Sequence, residues 1–304
     1  MQLRVSIFNT SSNLPQFAAL ELGFYKAWGL EVELLPTPNS DAQRLALAEG
    51  RIDIAHAAVD NAVAMVESGA DVQIVCGGDA GMNELMVRSE INSFEDLRGK
   101  LLAVDAPNTA YALVAKKILK NKGLLEGRDY QVKLAGGTGP RSQAMVADTS
   151  LAVGMVNPPF SFMVLSRGLK SLGSQFVLLG PYQATGAFVL RRWAEQNSEA
   201  LVHYLAATME GYRVVMDARQ KEAMLALLVR RFGLSQEHAQ ASYTSLNTVG
   251  SGLAADAELN HAGFAAVLAI RAEMEGMWGG AAPSADRYLN LDYYTRAREL
   301  ARLR

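Results

Sequence analysis

Short apolar runs rich in Val and Ile alternate, over the first 190 residues, with stretches of helical period. The runs fall at 3–8, 30–35, 52–55, 73–76 and 85–87, then at 101–104, 131–134, 153–156, 176–179 and 187–190. Each reads as a strand. Between them, residues 15–27 place Phe17, Leu20 and Phe24 at i, i+3 and i+7. Residues 109–121 put Leu113, Ile118 and Leu119 on one face and lysines on the other. Strands separated by helices of this length predict mostly parallel sheets covered on both faces. Ten strands would strain a single open twisted sheet, so two smaller sheets are expected.

From residue 197 onward no strand pattern remains. Helical patterns run over 198–217, 220–232, 235–245 and 258–275, with Ser198 and Ser235 as expected N-caps and Gly233 as an expected C-terminal stop. This tail has no sheet of its own and must pack on an existing lobe. Gly and Pro cluster at 276–284 as a loop, and a last helix is expected from Leu291.

Composition narrows the class. Of 304 residues half are hydrophobic, and 29 basic against 31 acidic side chains leave a net charge of −2. The balance argues against a nucleic-acid or membrane-surface binder, which usually carries a basic excess. No apolar run reaches the roughly 18 residues of a membrane span. The one cysteine, Cys76, excludes an internal disulfide framework and a Cys-based zinc site. Three of the four histidines, His203, His238 and His261, are dispersed through the tail without a metal-ligand spacing. Neither metal nor cofactor is expected, nor a nucleic-acid partner, and the expected assembly is a monomer. The chain opens directly on a strand pattern, which places it in the cytoplasm, or in the periplasm if a leader has been removed; the second is favoured.

Several segments together resemble one family. They are Leu14-Pro15-Gln16-Phe17 with Leu22-Gly23-Phe24-Tyr25-Lys26-Ala27-Trp28-Gly29-Leu30-Glu31-Val32, then Gly50-Arg51-Ile52-Asp53, Ser93-Phe94-Glu95-Asp96-Leu97-Arg98-Gly99-Lys100, and Asn157-Pro158-Pro159-Phe160. In order and spacing, over residues 1–190, this is similar to the substrate-binding proteins of ABC importers in the nitrate, alkanesulfonate, taurine and thiamine-precursor (NMT1/THI5-like) family. One departure is the stretch Ala147-Asp148-Thr149-Ser150-Leu151-Ala152-Val153, which lacks the Asp of a second Gly-x-[Ile/Val]-Asp step. The resemblance implies a two-lobed α/β fold of the type 2 periplasmic-binding-protein kind. Lobe one would hold residues 1–87 and 188–304, and lobe two residues 88–187. Strands at 84–88 and 187–191 would form the hinge, and a small anionic or aromatic organic molecule would be shut between the lobes for delivery to a membrane permease.

In open parallel sheets ligands bind beyond the carboxyl ends of strands, where helix N-termini point. Applied strand by strand, this gives Asn9, Thr10 and Ser11; His56 and Asp60; Asn108, Thr109 and Tyr111; Thr138 and Arg141; and Asn157. Arg141 is the cation best placed to grip an oxyanion two-pronged, with a solvated helix-surface arginine as its ordinary reading. Asn108 and Thr109 are adequate N-caps whether or not a ligand exists. His56 fits a packed core histidine, and Tyr111, Phe160 and Tyr182 fit either an aromatic wall or the core. The chief alternative is a small-molecule enzyme on the same scaffold, desulfinase-, decarboxylase- or pyrimidine-synthase-like. Its machinery would be His56, Asp60 and Ser11, because the reactive cysteine that desulfinase-like enzymes place after the first strand is replaced here by Ser11 and Ser12. A sensor module is the third reading, and no DNA-binding or signalling segment supports it.

Overall fold

The structure, a computed structural model, describes residues 1–303, so that Arg304, the last residue of the expected tail, lies outside the described residues. The chain begins with β1 (Gln2–Ile7), α1 (Leu14–Glu21), α2 (Phe24–Ala27), β2 (Glu31–Pro36), α3 (Ser40–Ala48), β3 (Ile54–Ala58), α4 (Asp60–Glu67) and β4 (Val72–Asp79). It crosses into a second lobe with β5 (Glu84–Val87), β6 (Lys100–Val104), α5 (Ala110–Asn121), β7 (Tyr130–Leu134), α6 (Thr138–Ala147), β8 (Leu151–Val156), α7 (Phe160–Leu165), β9 (Lys170–Ser174) and α8 (Gln175–Leu179). It returns through β10 (Thr185–Leu190) to α9 (Arg191–Gln196), α10 (Ser198–Met216), α11 (Lys221–Phe232), α12 (Gln236–Leu246), α13 (His261–Glu275) and α14 (Asp292–Arg302).

Two five-stranded sheets result, in the orders β2-β1-β3-β10-β4 and β7-β6-β8-β5-β9. In each, four strands run one way and one runs against them. The reversed strands are β10, antiparallel to β3 and β4, and β5, antiparallel to β8 and β9. The sheets are therefore mixed, because the strands that enter after each crossing come in reversed. Register also moves the lobe boundary. Glu84 pairs with Val156 and Val87 with Lys170, so β5 belongs wholly to the second sheet and the crossing lies before it, at 80–83. The return crossing likewise ends before Thr185, which pairs with Ala58. Alternation of apolar and polar residues marks a strand but not the sheet that receives it.

Two local expectations change. The run at 176–179 is helical: the Ser174 side chain accepts the Val177 amide at 3.3 Å as an N-cap, and Gly180, at φ 85°, ends the turn. The strand beside it is the preceding Lys170–Ser174, an edge strand without an apolar run. The stretch 15–27 is broken by Gly23 at φ 77° into α1 and α2. In the tail, Ser235 caps α12 as expected, whereas α10 begins after Asn197 rather than Ser198.

Strand periodicity sets the cores. Leu3, Val5 and Ile7 of β1 face a core built with α1, α10 and α14. Leu102 and Val104 of β6 share a second core with Leu113 and Val114 of α5 and with Phe264 and Leu268 of α13. The helical tail thus reaches lobe two as well as lobe one. Ala103 faces the opposite way, into a small core with Met145 and Val156.

Both crossings meet at Asp79, the last residue of β4. Its buried carboxylate accepts the Gly81 amide at 2.8 Å and the Thr185 hydroxyl, while its backbone carbonyl accepts the Ala184 amide at 3.0 Å. No cation is bonded to it among the described residues. Burial raises its pKa to about 6, against the pull of the two donors. The folded protein therefore holds this proton more tightly than the unfolded chain does. The stability it contributes is complete below about pH 4 and is lost as the pH rises through about 6. Asp79→Asn, which mimics the protonated form, should be more stable than the parent at pH 7.5 by up to about 3 kcal/mol and should match it near pH 4. Urea unfolding of both proteins across that range checks this. A difference that does not vary with pH would mean that the carboxylate is hydrated in the fold.

Candidate functional site

The carboxyl ends of the parallel strands of the two sheets face one another and enclose a cleft of about 670 Å³, its mouth included. Lobe one supplies the segment after β1, the end of β3 and the starts of α3 and α4. Lobe two supplies the segments after β6, β7 and β8 with the first turns of α5 and α6. Thr185, at the start of the returning strand, closes the floor.

Seven of the residues expected from the strand-end rule line this cleft: Thr10, His56, Thr109, Tyr111, Thr138, Arg141 and Asn157. Four do not. Asn9 points to solvent. Ser11 is buried beneath the wall, its amide bonded to Pro158 O of the other lobe at 3.1 Å. Asn108 is exposed and offers only its carbonyl, to Arg271 at 3.0 Å. Asp60 is committed to a buried ion pair: Arg271 Nε and Nη2 donate to its two oxygens at 2.7 and 2.6 Å. Tyr182 is core, and Phe160 packs over Gly139. Asn61, which the same rule gives beside Asp60, lines the cleft too; the rule passes over Phe8, Ser40 and Asp105, which also line it. Asp105 directly follows Val104, the end of β6, so position alone was signal enough for it.

Two of the seven differ chemically from expectation. Arg141 is buried inside lobe two: Nε and Nη2 donate to Met155 O at 3.1 and 2.9 Å, Nη1 to Gly136 O at 2.8 Å, and Nη2 to Thr138 Oγ1 at 3.2 Å. Its fork tethers the β7–α6 turn to β8 and is not open for a two-pronged grip. Burial lowers its pKa to about 10, partly offset by Asp105, so it stays charged at neutral pH. His56 is held between Gln16 Nε2, 3.2 Å from Nδ1, and the Tyr204 hydroxyl, 2.8 Å from Nε2. With Gln16 donating, Nδ1 accepts and the proton sits on Nε2. Burial lowers its pKa to about 3, which leaves it neutral at physiological pH and a poor base.

The lobes touch along both rims. Asp105 accepts the Ser40 amide at 3.1 Å from the start of α3. At the far edge Lys117 and Lys120 of α5 reach Glu273 of α13 at 2.7 and 3.0 Å, beside the Arg271 bond to Asn108. A Cβ on Gly137, at the start of α6, would lie 2.8 Å from Pro38 O and 3.4 Å from the Phe8 ring, both in the other lobe. These contacts describe a shut cleft.

Gly137→Val should hold the lobes apart. Its expected signature is a larger radius of gyration by small-angle X-ray scattering with unchanged helix content; an unchanged radius would mean the rim can yield. Asp60→Asn should cost about 3–5 kcal/mol in urea unfolding, because it strips a buried guanidinium of its partner. Unchanged stability would return Asp60 to the list of ligand-binding residues.

Among the described residues, no group of three or more His, Cys, Asp or Glu could hold a metal ion, and no helix is long and apolar enough to cross a membrane. No curated protein matches the chain by sequence. Solved structures match it in fold. The ligand-binding component of an ABC-type import system from Staphylococcus aureus, solved with zinc bound, superposes with a TM-score of 0.81 at 12% identity, over 98% of this chain and 99% of that one. The periplasmic nitrate-binding protein NrtA of Synechocystis PCC 6803 gives 0.78 at 17% identity, over 98% and 88%. The alkanesulfonate-binding protein SsuA of Xanthomonas axonopodis pv. citri, bound to MOPS, gives 0.73 at 17%, over 95% and 96%. The fold is that of the periplasmic binding proteins. The NMT1/THI5 like family model matches residues 10–223, well over half of the sequence, and the chain belongs to that family.

Proposed function

We propose that this protein is the solute-binding component of an ABC-type importer, capturing one small organic molecule between its lobes and presenting it, outside the cytoplasmic membrane, to a permease. The observation that carries this reading is the cleft itself. It is walled by both lobes at the carboxyl ends of their parallel strands, which two crossings join, the arrangement in which hinge closure shuts a ligand in. Family membership supports it, as do the roles of the structurally similar import-system proteins.

An enzyme on this scaffold finds no machinery among the described residues. His56 is a neutral, fully engaged imidazole of low basicity; Asp60 is spent on Arg271; the Ser11 hydroxyl is buried without a hydrogen-bond partner. A serine nucleophile requires an adjacent base, and none reaches it. Cys76 is buried in β4, and burial pushes its thiol up to about 12, far from the thiolate that reacts.

Thermal unfolding across a panel of sulfonates, aromatic acids, pyrimidines, flavins and nitrate tests the reading. A compound at a hundredfold excess over its Kd should stabilise the protein by about 2.7 kcal/mol. Mass spectrometry of the recovered compound should return it intact. A compound returned altered would establish catalysis instead. Purified protein that neither responds to any member of the panel nor yields a retained small molecule on denaturation would overturn the solute-binding role.

A further inference from the structure

Resting on the solute-binding reading, the class of solute follows from the hydrogen-bonding capacity that the cleft leaves unused. Among the described residues lining it, Arg141 is the one cation and Asp105 the one carboxylate, since His56 is neutral. A guanidinium has five N–H groups, and Arg141 already makes four hydrogen bonds within lobe two. One N–H remains. A two-pronged grip on a carboxylate or sulfonate needs two.

Three acceptors remain unused around the cleft. Asp105 spends one oxygen on the Ser40 amide, and the other has no partner among the described residues. Asn61 and Asn157, 1% and 7% exposed, each have an enclosed Oδ1 with no hydrogen-bond partner. Asn61 also reaches Ser40 Oγ through Nδ2 at 3.5 Å. Asp105 and Asn61 therefore meet at one serine, each from its own lobe. Phe8 and Tyr111 line the same cavity and supply apolar surface for the body of a ligand.

We propose that the solute carries an N–H-donating group, an amine, an amidine or an amino-substituted ring, and that this group docks on Asp105 and Asn61 beside Ser40. A simple oxyanion finds only one free N–H on the cleft's one cation, Arg141, and a carboxylate, Asp105, that repels it. A donor group neutralises Asp105 and fills an acceptor that burial otherwise leaves empty. Because its two acceptors sit on different lobes, it binds both only when the cleft is shut, which couples recognition to closure.

Matched pairs that exchange or remove the nitrogen group test this: benzamidine against benzoate, 4-aminopyrimidine against pyrimidine, and 3-aminopropanesulfonate against propanesulfonate. Affinities come from thermal shift and calorimetry on the full chain. At least one nitrogen-bearing member should bind more tightly than its partner by about tenfold or more, and Asp105→Asn should remove about the same factor. Equal or tighter binding of the nitrogen-free members would overturn the proposal and leave the solute-binding role standing. So would amine binding that Asp105→Asn leaves unchanged. Silence from every pair also counts against the donor class; only an absence of any retained molecule as well would remove the solute-binding role. Urea unfolding of the ligand-free variant separates lost recognition from lost folding, and Asn61→Ser gives a second, independent loss at the same point.

Discussion

Both crossings of the chain are tied to one buried carboxylate, and the position of everything else follows from that knot. Asp79 ends β4, its side chain takes the amide of Gly81 on the outgoing segment, and its oxygens and carbonyl take Thr185 and Ala184 on the returning one. Gln183 reinforces it, donating to Thr185 O at 2.6 Å and accepting the Asn260 amide at 2.6 Å. Hydrogen bonds inside a poorly polarisable interior are strong and directional. The two segments are thereby held side by side, along the line about which a hinge-type closure would turn. Thr185 also floors the cleft, so the hinge and the ligand space share a residue.

The cleft is nearly neutral, and that constrains what can enter. Arg141 is a structural cation, bonded to backbone oxygens that carry no formal charge. Asp105 is its nearest compensation, and it also joins the lobes through Ser40. The imidazole that could have supplied a second charge is locked neutral by burial and two partners. Binding here therefore relies on matched donors and acceptors and on enclosure more than on net attraction.

Much of this was legible in the sequence. The alternation of short Val/Ile runs with helical stretches was enough for two sheets, and the strand-end rule named seven residues that line the cleft. Most of what escaped shares a physical cause: a partner far along the chain. Asp60 looked like a cleft residue until Arg271, 211 positions later, claimed it. Arg141 looked exposed because helical periodicity does not reveal that β8 lies against that face. Residues 84–87 read correctly as a strand, yet which sheet takes a strand depends on pairing with β8 and β9. The helical run 176–179 was misread because four apolar residues fit either period, and the decisive cues were the Ser174 cap and the Gly180 stop.

The tail helix α13 belongs to lobe one by connection, yet Arg271 and Glu273 upon it clasp lobe two at Asn108, Lys117 and Lys120. Both lie beyond residue 223, where the family match ends, and neither lines the cleft. Apparent affinity depends on how much of the population is already able to hold the ligand, as well as on contacts to it. A surface charge on α13 can therefore act as a gain control, raising or lowering occupancy for every solute alike while leaving the order of preference among them untouched.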